Sequence, residues 1–493
     1  MSKRLVLLFC ALFVFAAAIP AFAAVQNIKV SGDILARYIY RNDFDLTKDV
    51  AGSSDIISLF NTVTRLRVDA DLTDNVSTVV RLVNSRNWDM SNYYDDPFID
   101  TNTEGMNINL DLAYVTLKEF LCSPLTLTIG RQELHFGNDM IIGDGVGMPW
   151  AVPMAAGFGT NQTTNYEIEP GMRGNDFTGV NGDLSLLKAF DAIRATLNYD
   201  PLVVDLVYAK LQANKVFNWN DDADLYGMNA AYKLSDKWST LIEGYFWNKI
   251  INAPNIDEGD GFVGPAKDKA DTVQTIGIRA STNPMKKVNL QQEFAFQFGK
   301  YAGEGEEARD RRAMAAQTML YVTPGWKHDP MFGLIYSYFS GDADPFSGDA
   351  NKRYHGWDPM FENQTAGHIL NALLPQTNAH NFDLMAKFVP FEDVTLRADY
   401  VFQMLAKKLS DTGDVVLNDY LKNASDEDID LAAGNGTVGH EIDLNLTYDY
   451  TEDVQFGLMA GWFFPGNFFE KTNDADKGSV GANEMIASCK VSF

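Results

Sequence analysis

Arginine and acidic side chains recur at every second position in several segments of this sequence. In the clearest one, Arg65, Arg67 and Asp69 alternate with Leu66 and Val68. Successive residues of a β-strand point to opposite faces, so such a segment carries its charges on one face and its apolar side chains on the other. A charged face of this kind can bind and orient charged solutes. The chemistry indicated is recognition or passage of solutes.

The same alternation predicts a charged row on the inner face of a closed sheet. Its cations lie mainly on early segments and its acids on late ones, which predicts a basic wall that faces a more acidic wall across a pore. The alternative is that these charges pair with one another and replace apolar filling. The predicted row consists of Arg37, Arg41, Arg65, Arg67, Arg81, Arg194, Arg279 and Arg397 with Asp33, Asp69, Glu293, Asp383, Asp399, Glu441 and Asp443.

Two further charges conflict with strict alternation. Arg131 and Glu133 follow Leu127 and Ile129 at the same spacing, which would place them among lipid-facing side chains. A lipid-facing arginine deep in the hydrocarbon costs about 2–4 kcal/mol. A β-bulge at Gly130 would turn both residues inward and remove this cost. We therefore predict a bulge at Gly130 and include Arg131 and Glu133 among the pore-lining residues.

Other constellations that could carry chemistry are weak. No histidine lies in a Ser/His/acid or HExxH context, so we expect no enzymatic activity. The cysteine spacing fits no metal or haem motif, and we expect no cofactor. The spaced carboxylates of Asp342, Asp344 and Asp349 offer oxygen ligands for Ca²⁺, but they lack the bidentate Glu of an EF-hand. A solvated acidic loop is the preferred interpretation, with no resident metal.

The elements that would position the charged row are strands. Segments with period-2 alternation recur about 18 times. Their connections alternate between short and long, a pattern that a β-sandwich has no reason to show. It is typical of outer-membrane barrels with short periplasmic turns and long extracellular loops. The segments begin near residues 27, 57, 76, 106, 125, 189, 202, 224, 238, 272, 286, 312, 330, 379, 393, 437, 454 and 482.

We therefore predict an all-β fold, a transmembrane up-and-down antiparallel β-barrel. The last segment, Gly481 to Phe493, should pair with the first, near Asn27 to Arg41, and close the sheet. The longest connections span roughly residues 138–188, 341–378 and 408–436. The first of these is rich in glycine, and it either folds into the lumen as a constriction or lies outside as a simple external loop.

The N-terminus reads as a secretory signal peptide over residues 1–23. It has Lys3 and Arg4, an apolar run from Leu5 to Ile19, and small residues at the expected cleavage site. Residues 24–493 are then one barrel domain. The formal net charge of −26 argues against nucleic acid as a partner. A mean hydropathy of −0.17 does not exclude a membrane barrel, because only every second strand residue needs to be apolar.

Five segments together resemble the alginate-export family of outer-membrane porins. The resemblance covers most of the chain and implies an 18-stranded barrel with a constricted, often electropositive pore. It also implies export of an anionic polysaccharide, as in the founding members. The terminal Phe493 resembles the signal that the barrel-assembly machinery recognises. The segments are Asn84-Ser-Arg-Asn-Trp88, Gly130-Arg-Gln-Glu-Leu-His-Phe-Gly137, Tyr338-Phe-Ser-Gly-Asp342, Gly439-His-Glu-Ile-Asp443 and Trp462-Phe-Phe-Pro-Gly466.

The first hypothesis is a porin of the bacterial outer membrane that passes hydrophilic, preferably anionic solutes; the family resemblance implies an anionic polysaccharide as one such solute. Its basic wall would consist of Arg65, Arg67, Arg81, Arg131 and Arg194. The expected partners are outer-membrane lipid, the barrel-assembly machinery and the solute. The alternative is a structural or partner-binding barrel, such as a sheath around a secreted protein or a cytochrome.

Overall fold

The structure is a computed structural model of the chain. The predicted signal peptide lies outside the residues that it describes. These residues are 27–44, 46, 56–88, 108–121, 124–144, 172–173, 184, 187–212, 222–252, 270–302, 308–344, 351–364, 366–408, 436–469 and 479–493.

Eighteen antiparallel strands form a single sheet, and each predicted segment begins within three residues of the start of a strand. A two-residue pairing joins Met172–Arg173 to Leu187–Lys188. The described residues also contain a short helix, α1 (His368–Leu373). The strands are β1 (Asn27–Asn42), β2 (Ile57–Thr73), β3 (Val76–Asn87), β4 (Asn109–Leu117), β5 (Leu125–Gln132), β6 (Phe190–Asn198), β7 (Leu202–Gln212), β8 (Ala223–Lys233), β9 (Leu241–Ile251), β10 (Asp271–Met285), β11 (Val288–Tyr301), β12 (Arg309–Val322), β13 (Met331–Phe339), β14 (Ala379–Phe391), β15 (Val394–Leu405), β16 (Thr437–Asp449), β17 (Val454–Pro465) and β18 (Asn483–Ser492).

The sheet closes where the sequence predicts. Strand β1 pairs with β2 on one side and with β18 on the other. The backbone N–H of Gly32 donates to the carbonyl of Phe493 at 2.8 Å, and the N–H of Phe493 donates back to Gly32 at 3.0 Å. Each barrel strand therefore has two neighbours, and no row of backbone groups is left unpaired in the hydrocarbon.

Short and long connections lie at opposite ends of the barrel. The end with the short connections, such as residues 74–75 between β2 and β3, is here called the turn rim. The end with the long connections, such as residues 340–378 between β13 and β14, is called the loop rim. In bacterial outer-membrane barrels the short turns face the periplasm, which orients the chain in its membrane.

Alternation within each strand produces an apolar outer face. On β10 and β11, Ile276, Ile278 and Phe294 point outward and are each more than half exposed, whereas Glu293 and Gln297 point inward and are buried. An outward apolar band with a polar interior is the arrangement that a lipid environment requires of a barrel. No helix in the described part of the chain is long and apolar enough to span a bilayer.

Two segments from the loop rim fold into the lumen and pack against each other. We call residues 133–144 and 351–364 together the inner plug. Ile142 and Phe361 form a parallel bridge, and the N–H of Gly143 donates to the carbonyl of Phe361 at 2.7 Å. The plug shares one buried apolar cluster with inward residues of the wall, from Phe190 on β6 to Ala379 on β14. It therefore covers the inner wall across nine strands.

A second apolar cluster covers the inner face of the late strands. Helix α1 contributes Ile369 and Leu370, which pack with Val401 on β15, Val438 on β16 and Phe463 on β17. Neither this cluster nor that of the plug includes a residue of β2, β3 or β4. Among the described residues, the inner face of these early strands belongs to neither of the two clusters; it carries charged side chains beside the buried Val63, Val79 and Val83.

Candidate functional site

Three arginines of the predicted row lie on the inner face of these early strands. Arg65 and Arg67 are on β2 and Arg81 is on β3, and we call them the arginine strip. Arg67 and Arg81 are directly opposite each other in the pairing of the two strands. Their side chains are 21%, 31% and 15% exposed in the order of the sequence. The guanidinium groups therefore remain accessible from the lumen.

Each arginine of the strip is held by a carboxylate. Arg65 donates to Asp33 on β1 at 3.1 Å. Arg67 makes a bidentate contact with Asp69, with Nη2–Oδ1 and Nε–Oδ2 distances of 2.8 and 2.9 Å. Arg81 binds Asp111 on β4 and also donates to Glu133 of the plug at 2.7 Å.

The strip therefore presents donors and acceptors side by side. Guanidinium groups bind a carboxylate through parallel N–H donors, whereas Asp and Glu oxygens accept hydrogen bonds from hydroxyl groups. Asp33, Asp69 and Glu133 keep 20%, 35% and 32% of their side chains exposed. A solute that carries both a carboxylate and hydroxyls can engage both kinds of group at once.

The other inward arginines connect parts of the chain. Arg41 on β1 pairs with Glu484 on β18 at 2.6 Å, and both side chains are 1% exposed, so this pair joins the strands at the closure. Arg37 donates to Asn61 on β2 at 2.8 Å and to the carbonyl of Leu184 at 2.9 Å. These two side chains are buried and offer little surface to a solute.

Two arginines of the middle strands hold the plug in place. Arg279 on β10 pairs with Glu243 on β9 and donates to plug residue Asn138 at 2.6 Å. Arg194 on β6 pairs with Asp205 at 2.8 Å, and its guanidinium lies 5.1 Å from the centroid of the Phe136 ring.

Near the turn rim, Arg397 makes a bidentate contact with Asp399.

Two acids of the predicted row, both on β16, bind the start of helix α1. Glu441 on β16 accepts hydrogen bonds from the backbone N–H groups of Ile369 and Leu370 at 2.7 and 2.8 Å, and Asp443 accepts from that of His368 at 3.2 Å. Carboxylates here satisfy the unpaired N–H groups at the start of α1.

Two acids further round the wall are also buried. Glu293 accepts a hydrogen bond from Tyr245 at 2.7 Å. Asp383 on β14 is buried next to Asp399, one strand away. Most inward arginines are matched by a neighbouring carboxylate, which favours the alternative that the inward charges pair with one another.

The predicted bulge at Gly130 is absent. Strand β5 keeps a continuous register with both β4 and β6 through this residue. Gly130 has φ +122°, and a Cβ there would lie 2.2 Å from the carbonyl oxygen of Ala113. Glycine at this position allows a close approach of two strands rather than an extra residue.

Arg131 consequently stays on the outer face, which corrects its expected place in the pore. It lies opposite Asp191 on β6 and pairs with it at 3.1 Å, and the Asp191 side chain is 61% exposed. The ion pair lowers the cost of a charge on this face. The irregularity of this region lies in β4, where the register shifts at Leu110 to Leu112. Glu133 reaches Arg81 because the chain leaves the sheet after Gln132.

The acidic loop offers no converging ligands. Asp342 accepts hydrogen bonds from the backbone N–H groups of Asp344 and His355 at 2.8 and 2.7 Å. Asp344 pairs with Lys352 at 2.8 Å. Asp349 lies outside the described residues. Within the part of the chain that the structure describes, no three His, Cys, Asp or Glu side chains are placed to hold a metal ion.

Several partner acids were not identified from the sequence. Asp205 and Glu243 lie on the inner row by the same alternation, but apolar residues occupy both faces of β7 and β9 there and obscure the period. Asp111 follows an irregular register. Glu484 was recognisable, because it alternates with Met485 in the predicted closing strand and faces Arg41 across the closure.

Comparison with protein families identifies this barrel. Residues 188–483, more than half of the chain, match the family model described as alginate export. The chain belongs to the alginate export family. The matched region runs from the last residues before β6 into the start of β18, so it covers the wall that the inner plug and α1 pack against.

Solved structures show the same fold at low sequence identity. A crystal structure of Pseudomonas aeruginosa OccK2 (OpdF) in complex with glucuronate matches with a TM-score of 0.51 and 12% identity, covering 95% of this chain and 99% of that chain. Pseudomonas aeruginosa OpdQ matches with a TM-score of 0.51 and 11% identity, covering 95% and 98%. A search of curated protein sequences finds no match.

This alginate export family member is therefore a porin-type barrel of the bacterial outer membrane. The predicted fold class, the location and the interpretation as a channel rather than an enzyme are confirmed at this level. The predicted role of Phe493 in assembly and the predicted signal peptide stay predictions.

Proposed function

We propose that this barrel conducts small anionic sugar acids of the uronate type along the arginine strip. The observation that carries the proposal is the accessibility of Arg65, Arg67 and Arg81 on a wall that neither apolar cluster covers. The family description is consistent with this solute class, because alginate is a polymer of uronates. The glucuronate in the OccK2 complex belongs to the same class.

The mixed charge of the strip favours a uronate over a simple anion. A uronate carboxylate can accept hydrogen bonds from Arg65 or Arg67, while its hydroxyls donate to Asp33 or Asp69. An ion such as chloride gains only the first of these interactions. Binding at several partly exposed groups is strong enough to select a solute and weak enough to release it, which conduction requires.

The position of the inner plug favours small solutes, which can pass beside it, over large ones. It occupies the lumen from β6 to β14, and a long polysaccharide or a partner protein would compete with it for this volume. The same argument disfavours the alternative interpretation of the barrel as a sheath around a secreted protein or a cytochrome.

Single-channel recording in planar bilayers tests the proposal. We expect glucuronate to reduce the KCl current saturably, and neutral glucose to reduce it much less. Replacing Arg65 and Arg67 by Ala should weaken the glucuronate effect roughly 3- to 10-fold, since loss of a charged hydrogen bond is worth about 1 kcal/mol or more. Asp33 and Asp69 remain solvated in this variant, so the fold should tolerate it.

A control variant removes one cation that lies outside the lumen. Lys300 lies on the outer face near the loop rim with its side chain 56% exposed, and Lys300→Gln should leave the glucuronate effect unchanged. A barrel without conductance, or equal glucuronate effects in wild type and in the double arginine variant, contradicts the proposal.

A further inference from the structure

A second surface, formed by charged and apolar side chains together, lies at the turn rim, on the other side of the lumen from the arginine strip. A cavity of about 800 Å³ is lined there by inward residues of β10 to β15 and by the turns after β8 and β10. We call it the turn-rim vestibule. Asn289 on its wall is the inward residue next to Gln291, which accepts a hydrogen bond from plug residue Asn138 at 2.7 Å. The vestibule therefore lies directly beneath the plug.

The vestibule is rich in cations, and three of the four have no acidic partner among the described residues. Lys237, Lys286, Lys287 and Arg397 line it, and no carboxylate does. In the described part of the chain only Arg397 pairs with an acid, Asp399. The ammonium group of Lys287 donates to the carbonyl of a neighbouring turn at 2.7 Å, and that of Lys237 lies 5.3 Å from the centroid of an indole ring. This contrasts with the arginine strip, where every guanidinium has a carboxylate partner.

The remaining wall of the vestibule is apolar and deformable. Met331 and Ile335 on β13 and Met385 on β14 face it, together with the phenol ring of Tyr321. Met285, the last residue of β10, is 64% exposed at its edge. Methionine side chains adapt to irregular ligands and make favourable contacts with aromatic rings.

We propose that the turn-rim vestibule binds an organic anion with an apolar body, of which an aromatic carboxylate is the simplest form. The carboxylate would lie against Lys237 and Lys286, and the ring would lie against Met331 and Met385. Concave sites lined by apolar side chains with a few charged groups are the usual form of small-molecule sites, and this volume lies in their range. The site goes beyond the proposed uronate path, because it uses different strands and requires no conduction.

Titration of the detergent-purified full chain with 4-fluorobenzoate, followed by ¹⁹F line broadening, tests this inference. We expect saturable binding that is at least about tenfold weaker after Lys237→Gln with Lys286→Gln, since each charged contact contributes about 1 kcal/mol or more. The neutral analogue 4-fluorobenzamide should bind about tenfold more weakly for the same reason. Met285→Ser, at the exposed end of β10, should weaken the binding of 4-fluorobenzoate.

The matched control removes two lysines from the same rim outside the vestibule. Lys118 and Lys233 are both exposed, and Lys118→Gln with Lys233→Gln should leave the affinity unchanged. Equal affinities of wild type and the Lys237/Lys286 variant, benzamide binding as tight as benzoate binding, or absence of saturable binding would each overturn the proposal. None of these results depends on whether the barrel conducts glucuronate.

Discussion

At the scale of single residues, the distribution of inward charges separates groups that can meet a solute from groups that hold the chain. Arg41 and Glu484 are both 1% exposed and connect the first strand to the last. Arg67 and Asp69 are about one-third exposed and lie on an open wall. Removing one partner of the first pair would leave a buried charge without compensation, at a cost of about 3–5 kcal/mol. The second pair is screened by water and can exchange partners with a solute.

A histidine of the plug contacts acids of its own segment, and these contacts depend on pH. His135 lies 3.1 Å from Asp139 and 3.9 Å from Asp144, and Glu133 is also near. The hydrogen bond to Asp139 raises the pKa of His135 above its usual value. This contact is fully present below pH 6.5 and is lost as the pH rises through the raised pKa. Burial raises the pKa of Glu362 in the same plug to about 7, so its ionisation at higher pH acts in the same direction.

We therefore expect the channel current to rise between pH 6 and pH 8 as the contacts within the plug weaken. Weakening a partly exposed ion pair is worth about 0.2–1 kcal/mol, which corresponds to a change of roughly 1.4- to 5-fold in a two-state equilibrium. His135→Gln should reduce this pH dependence, measured as current in bilayers across the range. His328→Gln, in an exposed turn outside the plug, should retain it. A pH dependence that is the same in wild type and His135→Gln would contradict the assignment.

At the scale of elements, the strands were predictable from the sequence because of their period-2 alternation. Every strand start lies within three residues of its predicted position, because the lipid-facing side of each strand must be apolar. The sequence left open whether the connection near residues 138–188 enters the lumen; residues 138–144 do, whereas residues 145–171 lie outside the described residues. The second plug segment, residues 351–364, was not predicted, since it has no periodic pattern. The position of the plug depends on contacts such as Asn138 to Gln291, which join residues more than 150 positions apart in sequence. The arginines of the strip followed from alternation, whereas most of their partner acids did not.

The expectation for Gly130 shows the limit of local reasoning. A cost assigned to one lipid-facing arginine suggested a bulge, but the neighbouring strand supplies Asp191 and the register stays regular. The register of β5 against β6 across a long connection could not be read from the local sequence.

The close approach of β4 and β5 at Gly130 leads to a stability prediction. Gly130→Ala places a Cβ about 2.2 Å from a backbone oxygen at a positive φ, and such strain costs on the order of 1–3 kcal/mol. Gly244→Ala is a matched control in β9, because its Cβ would meet only one atom, at 4.0 Å. We expect a lower urea midpoint for Gly130→Ala than for Gly244→Ala when the barrel folds into lipid vesicles. Equal midpoints would show that the two strands can separate without loss of stability.

At the scale of the whole molecule, the barrel combines a regular wall with an asymmetric filling. Apolar packing of the plug and of α1 covers the inner face from β6 to β17, whereas among the described residues the inner face of β2 to β4 belongs to neither cluster and keeps its arginines partly exposed. A solute path in such a barrel is eccentric and lies against one side. The family model matches residues 188–483, which include the covered wall, whereas the arginine strip lies on strands before the matched region. Solute preference can therefore differ between members that share the covered wall.

The position of the solute path is the central claim, and modification of introduced cysteines by a negatively charged methanethiosulfonate reagent during current recording tests it most directly. Ser31 lies opposite Arg67 across the β1–β2 pairing, whereas Ala313 on β12 is 1% exposed and belongs to the cluster under the plug. In a background with Cys122 and Cys489 replaced by Ser, we expect the reagent to block current through Ser31→Cys and to leave Ala313→Cys unchanged. Block of Ala313→Cys as fast as that of Ser31→Cys, or no block of Ser31→Cys, would contradict a path along the arginine strip.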